Sequence, residues 1–381
     1  MKLDAQSKSS RILRSLVLLA AIVAHEAKYL LISSPSEAAV YAAKLPSADD
    51  FLRGSRSLEA HRLPVGAAAQ GGILGKPGGL AVDSFRGMLY IADPGNSQVV
   101  AMNIFARRSG GVSVDRPQIL VSGVDVHWVA ADPYGNLYYS DKSGNAVWWM
   151  SPQAIDDALN PSFADLAATH DSTVLSNSSA SNSVNSGSGG PPEVMTIHNP
   201  VQLYSAAGNV AVNTPHGVAA DSADVFWVNG ASGTQSGVVM QGKSELRSGN
   251  ASALVLELAH NTDAAYGICL SHTHIFFTAS TGELYAVQTV GGTVLEVSTA
   301  IQQPRGCAHD GDGTLFVADR QDGKVYAIAS GGLASGVARD VNAVLDVPDA
   351  FGLAVFAGSS LRLASCPCLW IVCMLLSSSL M

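Results

Sequence analysis

Residues 77–93, PGGLAVDSFRGMLYIAD, and residues 304–319, PRGCAHDGDGTLFVAD, contain the phrase that decides the fold of this chain. Each reads Pro-x-Gly-apolar-Ala-x-Asp and, after a short gap, Leu-aromatic-x-Ala-Asp. The phrase returns about every 40 to 50 residues, which is the length of one supersecondary unit. Such a unit cannot bury its own apolar face, so successive copies must pack on one another.

Six copies of the phrase can be aligned, one of them degenerate. They align on Gly79, Trp128, Gly217, Gly267, Gly306 and Gly352. The first five copies hold β-branched or aromatic runs, such as residues 89–92, separated by turn residues, which predicts strands joined in hairpins. Three evident strands and a weaker outer one make one blade. The sequence therefore predicts an all-β fold, a six-bladed β-propeller closed into a ring.

The predicted propeller spans residues 74–357, and its last blade is incomplete. The sixth copy stops after the innermost strand, at residues 350–356. A closed ring leaves no exposed strand edge, so another part of the chain must supply the missing strands. We expect residues 28–73 to do so, through residues 39–42 or residues 61–67.

The interval between the second and third copies is longer than the others, because it contains an insertion at residues 151–200. Apolar residues at helical spacing predict one or two short helices at residues 152–168. Residues 176–192 consist almost wholly of Ser, Asn, Gly and Pro, with too few apolar side chains to offset the entropy of folding. They predict a disordered loop between blades 2 and 3.

The repeated phrase, with Leu-Tyr-Ile-Ala-Asp and a closing Val-x-x-apolar, resembles the NHL-repeat family of six-bladed propellers. The likeness covers residues 74–356 and extends to the related YWTD, strictosidine-synthase-like and gluconolactonase-like propellers. These relatives include protein-, RNA- and glycan-binding modules as well as lyases and hydrolases. The resemblance therefore implies the fold and leaves the function open.

Both ends of the chain have the pattern of targeting segments. Residues 1–27 combine basic residues with an uncharged run, which predicts a secretory signal peptide, or a signal anchor if the apolar residues 29–32 extend it. Residues 358–381 form a hydrophobic tail after small residues, typical of a glycosylphosphatidylinositol attachment signal. The alternative is a palmitoylated or membrane-inserted tail that uses Cys366, Cys368 and Cys373.

These segments predict entry into the secretory pathway and an extracellular or cell-surface location. Two glycosylation sequons, at Asn177 and Asn250, lie in turn-rich stretches where glycan acceptors are found. The formal net charge of −9 argues against a nucleic acid or an anionic membrane surface as partner, because both require basic patches. We therefore expect contact with a membrane through a terminal anchor only.

Two cysteines lie within the repeats, Cys269 and Cys307. Counted from the repeat glycines, they occupy adjacent registers of neighbouring copies. Side chains alternate between the two faces of a strand, so these two are expected to point to opposite faces. We therefore expect two small buried thiols and no disulfide.

Candidate functional residues come from the position just before each repeat glycine. The innermost strands of a propeller run along the central axis, so side chains at their starts should meet at one mouth of the channel. The set is Gly78, His127, His216, Tyr266, Arg305 and Phe351. Two imidazoles, a phenol and a guanidinium in one axial well would bind an anion or a carboxylate by charge-assisted hydrogen bonds. The simpler alternative is that these side chains only plug a narrow channel.

The same set resembles the axial site of peptidylglycine amidating lyase, an NHL-like enzyme. By that resemblance His127 and His216 would bind zinc, Tyr266 would act as the base and Arg305 would bind a carboxylate. The third histidine of that site has no match here, and two histidines alone fall short of a catalytic zinc site.

Calcium is the second candidate ion, because aspartates recur where the innermost strands end. They are Asp83, Asp132, Asp221 and Asp310. An aspartate in that place more often caps a tight turn by accepting hydrogen bonds from nearby backbone N–H groups. Turn capping is therefore the role we expect.

The sequence leaves two classes of function open. The first is a secreted or membrane-anchored module that binds a protein, a peptide or a glycan through the axial residues. The second is a metal-dependent lyase or hydrolase with its site at the axial well. The incomplete catalytic set favours the binding module.

Overall fold

The computed structural model describes residues 27–46, 57–65, 72–107, 109–160, 200–207, 212–230, 237–244, 255–262, 264–333 and 339–358. The first strands are β1 (Ala27–Ser34), β2 (Ala39–Lys44), β3 (Ala60–Arg62), β4 (Leu80–Asp83), β5 (Met88–Asp93), β6 (Gln98–Ala106), β7 (Val112–Val114), β8 (Gln118–Ser122), β9 (Val126–Ala131), β10 (Leu137–Asp141), β11 (Ala146–Met150) and β12 (Val201–Ser205). They continue with β13 (Pro215–Ala220), β14 (Asp224–Asn229), β15 (Gly237–Lys243), β16 (Leu256–Thr262), β17 (Ala265–Leu270), β18 (His274–Ala279), β19 (Leu284–Gln288), β20 (Leu295–Ser298), β21 (Pro304–His309), β22 (Thr314–Asp319), β23 (Lys324–Ala329), β24 (Asn342–Asp346) and β25 (Leu353–Gly358). Helix α1 (Pro152–Leu159) is the one helix of these ranges.

The strands form six antiparallel sheets, which are the blades of a propeller. Blade 1 is β4-β5-β6-β8, with β7 as an extra strand on β6, and blades 2 to 5 take the next strands in groups of four. The innermost strands β4, β9, β13, β17, β21 and β25 each contact the next, and β25 contacts β4. The ring is thus closed, and the predicted six-bladed all-β propeller is confirmed.

The sixth blade combines the two ends of the described chain. Its order is β25-β1-β2-β3, so the N-terminal segment supplies three of its four strands, as predicted. Residues 39–42 lie in β2, and β3 overlaps the start of residues 61–67. The innermost strand β25 pairs with β1, and Ala27 lies opposite Gly358. The apolar residues 29–32, which the sequence offered as part of a signal anchor, are a buried strand of this blade.

Each blade is covered on both faces because it packs between two neighbours. In β5, Leu89 and Ile91 belong to the core shared with blade 6, whereas Tyr90 belongs to the core shared with blade 2, and all three are fully buried. Alternate side chains of a strand point to opposite faces. Burial on both faces therefore requires the uninterrupted apolar runs that mark the second strand of every copy.

The repeat glycines are required by the close approach of the innermost strands. A Cβ atom on Gly267 would lie 2.1 Å from the carbonyl oxygen of Arg305 in the next blade. On Gly306 it would lie 2.5 Å from the carbonyl oxygen of Phe351. A side chain at either place would push two blades apart at the axis, which explains why the phrase is built around glycine.

The insertion enters the fold within blade 2 and not after it. Strand β12 returns to pair with β11 as the fourth strand of that blade, so residues 151–200 connect its third and fourth strands. Helix α1 begins there, its first turn capped by the Ser151 hydroxyl, which accepts from the Ala154 N–H at 3.1 Å. The predicted loop at residues 176–192 lies outside the described residues.

The expectation of two free thiols is wrong, because Cys269 and Cys307 form a disulfide with a Cα–Cα distance of 5.7 Å. Both sulfurs lie in the core between blades 4 and 5. Two blades that pack face to face present opposite faces to each other. Within one sheet, side chains one register apart point to opposite faces. In two adjacent blades, these opposite faces are the ones that meet, so the same offset brings the two cysteines together.

Several sequence predictions fall outside the described ranges, namely those for the signal peptide, the hydrophobic tail and the sequons at Asn177 and Asn250. Within the ranges given above, no helix is both long enough and apolar enough to cross a membrane.

Candidate functional site

The side chains predicted to meet at the axis do lie together, around the mouth where the innermost strands begin. The rings of His127 and His216 have centroids 6.1 Å apart, and those of His216 and Tyr266 are stacked at 4.4 Å. The guanidinium carbon of Arg305 lies 4.2 Å from the centroid of the Tyr266 ring. Four successive blades therefore contribute one contiguous row of polar side chains, which we call the axial stack: His127, His216, Tyr266 and Arg305.

Two large apolar side chains close the channel beside the axial stack. Trp128 and Phe351 have ring centroids 5.6 Å apart, and the side chains are 5% and 7% exposed. Phe351 also contacts Tyr266 edge-on at 6.4 Å. Trp128 stands at the repeat-glycine position of blade 2, and its side chain fills space at the axis. Trp128 and Phe351 thus fill the axis. At its mouth the side chains of His127 and Tyr266 are only partly buried.

His216 carries a nitrogen without a partner. Its side chain is 5% exposed, and its Nδ1 lies 3.2 Å from the carbonyl oxygen of Ala265. A carbonyl can only accept, so Nδ1 holds the proton and Nε2 has a free lone pair. Burial lowers the pKa of His216 to about 4, which keeps the ring neutral at pH 7. Nε2 is buried and has no hydrogen-bond partner among the described residues.

Arg305 is a buried cation with an unpaired donor. Its side chain is 6% exposed, and Nη1 donates to the carbonyl oxygen of Pro304 at 2.9 Å. Burial lowers the pKa of the Arg305 guanidinium, but arginine keeps its proton in proteins. Its Nε–H has no acceptor within the described part of the chain. A buried N–H without an acceptor is costly, and an anionic oxygen would satisfy it.

His127 is oriented by a neighbouring carboxylate. Its Nε2 lies 3.1 Å from Oδ1 of Asp125, which in turn accepts a hydrogen bond from the Ser143 hydroxyl. Burial lowers the pKa of His127, Asp125 raises it and Lys142 lowers it further. The net direction is downward, so the ring is neutral at pH 7 and its Nε2 is already engaged.

A second guanidinium completes the mouth on the far side of Phe351. The Arg320 guanidinium carbon lies 5.9 Å from the centroid of the Phe351 ring, and Nε donates to Asp349 at 2.6 Å. Sequence reasoning missed Arg320, Asp125 and Trp128, because none of them precedes a repeat glycine. Arg320 follows the Leu-Phe-Val-Ala-Asp run of its copy, so its signal was the turn after the second strand.

The axial stack does not fit a zinc ion. No group of three or more His, Cys, Asp or Glu side chains converges on one point anywhere in the described ranges. Zinc sites in proteins use three protein ligands at least, and the axial stack offers two histidines. The lyase or hydrolase alternative therefore lacks its metal centre in the part of the chain that the structure describes.

The repeated aspartates bind their own turns. Asp132 accepts from the backbone N–H groups of Tyr134 and Asn136, both at 2.9 Å. Asp310 accepts in the same way from Asp312 at 2.7 Å and Thr314 at 2.9 Å. These geometries are those of turn caps, and they agree with the role expected in place of calcium binding.

Comparison with known proteins identifies the fold and no family. No family model matches this chain, and no curated protein matches it either. Among solved structures, a nidogen/laminin complex chain matches with 12% identity and a TM-score of 0.54, over 87% of this chain and 100% of that chain. A putative 6-phosphogluconolactonase from Bacteroides uniformis matches with 12% identity and a TM-score of 0.44, over 83% and 82%. Virginiamycin B lyase from Staphylococcus aureus matches with 12% identity and a TM-score of 0.41, over 68% of each chain. At such identities the first of these matches shows the propeller fold alone.

Proposed function

We propose that this chain is an NHL-like binding module whose axial mouth holds the carboxylate of a protein, peptide or glycan ligand. The observation that carries the proposal is the pair of unsatisfied nitrogens, Nε of Arg305 and Nε2 of His216, on side chains more than nine-tenths buried. Both side chains lie against one ring, that of Tyr266.

The two nitrogens require different hydrogen-bonding partners. Arg305 offers a charged N–H donor, which an anionic oxygen satisfies best. Neutral His216 offers a lone pair, which accepts from an N–H or O–H group. A carboxylate with a hydrogen-bond donor close to it, as at the C-terminus of a peptide or in an acidic sugar, meets both requirements. Tyr266, half-buried between them, would contact the ligand through the edge of its ring.

Binding is favoured over catalysis by what the axial stack lacks. His216 has a strongly lowered pKa and no acidic partner, so it is a weak general base near pH 7. His127 is oriented by Asp125, but the axial stack itself contains no Ser, Thr or Cys nucleophile for it to activate. A largely buried site that is rich in aromatic rings is typical of ligand recognition.

We extend the proposal to the setting of the module: secretion through residues 1–27, a lipid or membrane anchor at residues 358–381, and glycans at Asn177 and Asn250. The Cys269–Cys307 disulfide supports this setting, because disulfides persist mainly in oxidising compartments outside the cytosol.

The test is a pair of probes that differ only in charge. N-acetylglycine carries a carboxylate next to an N–H group, and N-acetylglycinamide is its neutral counterpart. We expect N-acetylglycine to bind the wild-type chain and to shift the ring resonances of isotopically labelled histidine, while the amide does not. The Arg305→Met variant, which keeps the apolar stem on Tyr266, should weaken binding by about tenfold or more.

The control is Arg116→Met, which removes an equally charged but exposed side chain between β7 and β8. It should bind N-acetylglycine as the wild type does. Equal binding of the acid and the amide, or wild-type affinity in a folded Arg305→Met variant, would overturn the proposal.

A further inference from the structure

Both ends of the described chain leave the propeller at one corner, on the face opposite the axial mouth. Strand β25 starts at the mouth and ends at Gly358, and β1 starts beside that end, since Ala27 pairs with Gly358. The backbone N–H of Ala357 donates to the Ser84 hydroxyl at 3.5 Å. The corner therefore adjoins the turn between β4 and β5 of blade 1.

That turn and its neighbour expose two aromatic side chains. Phe85, next to Ser84, is 93% exposed, and Tyr134, in the turn between β9 and β10, is 66% exposed. The two turns touch, because a Cβ atom on Gly135 would lie 3.0 Å from Cδ of Arg86. Large apolar side chains with so little cover cost free energy in water unless a partner covers them.

Two apolar runs in the sequence flank the described residues that meet at this corner. The uncharged run at residues 15–24 precedes β1, and the apolar run at residues 366–376 follows β25. The eight residue steps from Gly358 to Cys366 span at most about 30 Å when fully extended. If the tail is exchanged for a glycolipid at residues 357–360, the attachment point is the corner itself. An anchor in the flanking sequence would hold this face, and not the face of the mouth, close to a bilayer.

We propose that the face opposite the axial mouth rests on a lipid bilayer, with Phe85 and Tyr134 in the headgroup region beside the anchor. Aromatic side chains favour this layer, because their rings are apolar and the tyrosine hydroxyl reaches water. The contact needs no basic patch, which agrees with the acidic chain. The mouth with the axial stack then points away from the bilayer, where a ligand can reach it. This inference rests on the proposed anchoring and is independent of what the mouth binds.

The experiment places tryptophan on either face of the full-length chain. Phe85→Trp reports the proposed membrane face, and Gln321→Trp, an exposed position in the turn after β22, reports the face of the mouth. Each variant is bound through its own anchor to phosphatidylcholine vesicles with or without brominated acyl chains, which quench tryptophan on contact. The wild-type emission is subtracted as background. We expect brominated lipid to quench most of the emission added at position 85 and none of that added at position 321.

Three results would overturn the proposal: quenching at position 321, whether or not position 85 is also quenched, quenching at neither position, and a chain that does not bind the vesicles. N-acetylglycine binding is measured on the same samples, because the mouth is intact in the Phe85→Trp variant. A failure of the membrane proposal can then be told apart from a failure of the proposed function.

Discussion

The hydroxyl of Thr278 in blade 4 donates to the carbonyl oxygen of Arg305 in blade 5 at 2.7 Å, and it accepts from the N–H of Gly267 at 2.9 Å. Ser33 makes the same bridge between blades 6 and 1, to the carbonyl oxygen of Gly78 at 2.6 Å. Ser140 donates to the carbonyl oxygen of His216. A hydroxyl in alternate blades thus holds the backbone of a mouth residue in the next blade.

Thr278→Val should show how much this bridge stabilises the ring. Valine has the shape of threonine but can neither accept from Gly267 nor donate to Arg305, so two buried backbone groups lose their partner. We expect the free energy of unfolding in urea to fall by about 2 to 3 kcal/mol. Thr293→Val, at an exposed position, is the matched control and should change it by less than about 0.5 kcal/mol. Equal stability of both variants would contradict the bridge.

Gly267→Ala tests the close approach of the innermost strands. The added methyl would meet the carbonyl oxygen of Arg305 at 2.1 Å, and that backbone atom cannot move without separating blades 4 and 5. We expect a loss of about 3 kcal/mol or a chain that does not fold. Gly331→Ala, where a Cβ atom meets nothing within 4 Å, should be neutral or slightly stabilising. Thermal unfolding of the two variants side by side decides the matter.

The disulfide between Cys269 and Cys307 should be visible as a linked peptide pair in a non-reducing digest of the chain. It closes a loop over a sequence separation of 38, so its removal should cost about 2 to 4 kcal/mol of stability. The double variant Cys269→Ala/Cys307→Ala and the reduced wild type should be destabilised alike. A wild-type chain whose stability does not respond to reductant would show that the bond does not form.

Stability should fall in mild acid because of His216. Burial lowers the pKa of His216 to about 4 in the folded chain, whereas an unfolded histidine titrates near about 6.5. Between these values the unfolded state binds more protons, so the contribution is complete above about pH 6.5 and is lost as the pH falls towards about 4. The loss is on the order of 2 to 3 kcal/mol.

Urea unfolding at pH 7.5 and pH 4.5 measures this dependence, and His216→Gln isolates the part that belongs to His216. Glutamine can still donate to the Ala265 carbonyl, but it has no titrating group. His127 and His309 also have pKa values lowered by burial, so some dependence remains in the variant. An unchanged dependence in His216→Gln would contradict the prediction.

Most of the fold could be predicted from the repeats, because their shared pattern predicts the same strands and turns. Residues 29–32 were harder. A strand buried on both faces and a membrane-directed segment have the same apolar composition, and what separates them here is the pairing of β1 with β25. That pairing joins the two ends of the described chain, so the local sequence does not predict it.

The sequence predicted the part of the site that lies at one position of the repeat. The position before each repeat glycine located His127, His216, Tyr266 and Arg305, since the blades repeat around an axis. Trp128 reaches the axis from the next register. The Cys269–Cys307 bond depends on how two blades face each other, and alternation along one strand says nothing about that.

The hydrogen-bonded neighbours β1 and β25 are translated at opposite ends of the described chain. Five blades can assemble while synthesis continues, but the ring stays open until residues 353–358 emerge. Folding is therefore completed only after nearly the whole described chain has been made, and loss of either flank opens the same seam. Because these two ends already meet, a short linker could join Gly358 to Ala27 and new termini could be cut into a turn of another blade, leaving the order of the blades unchanged.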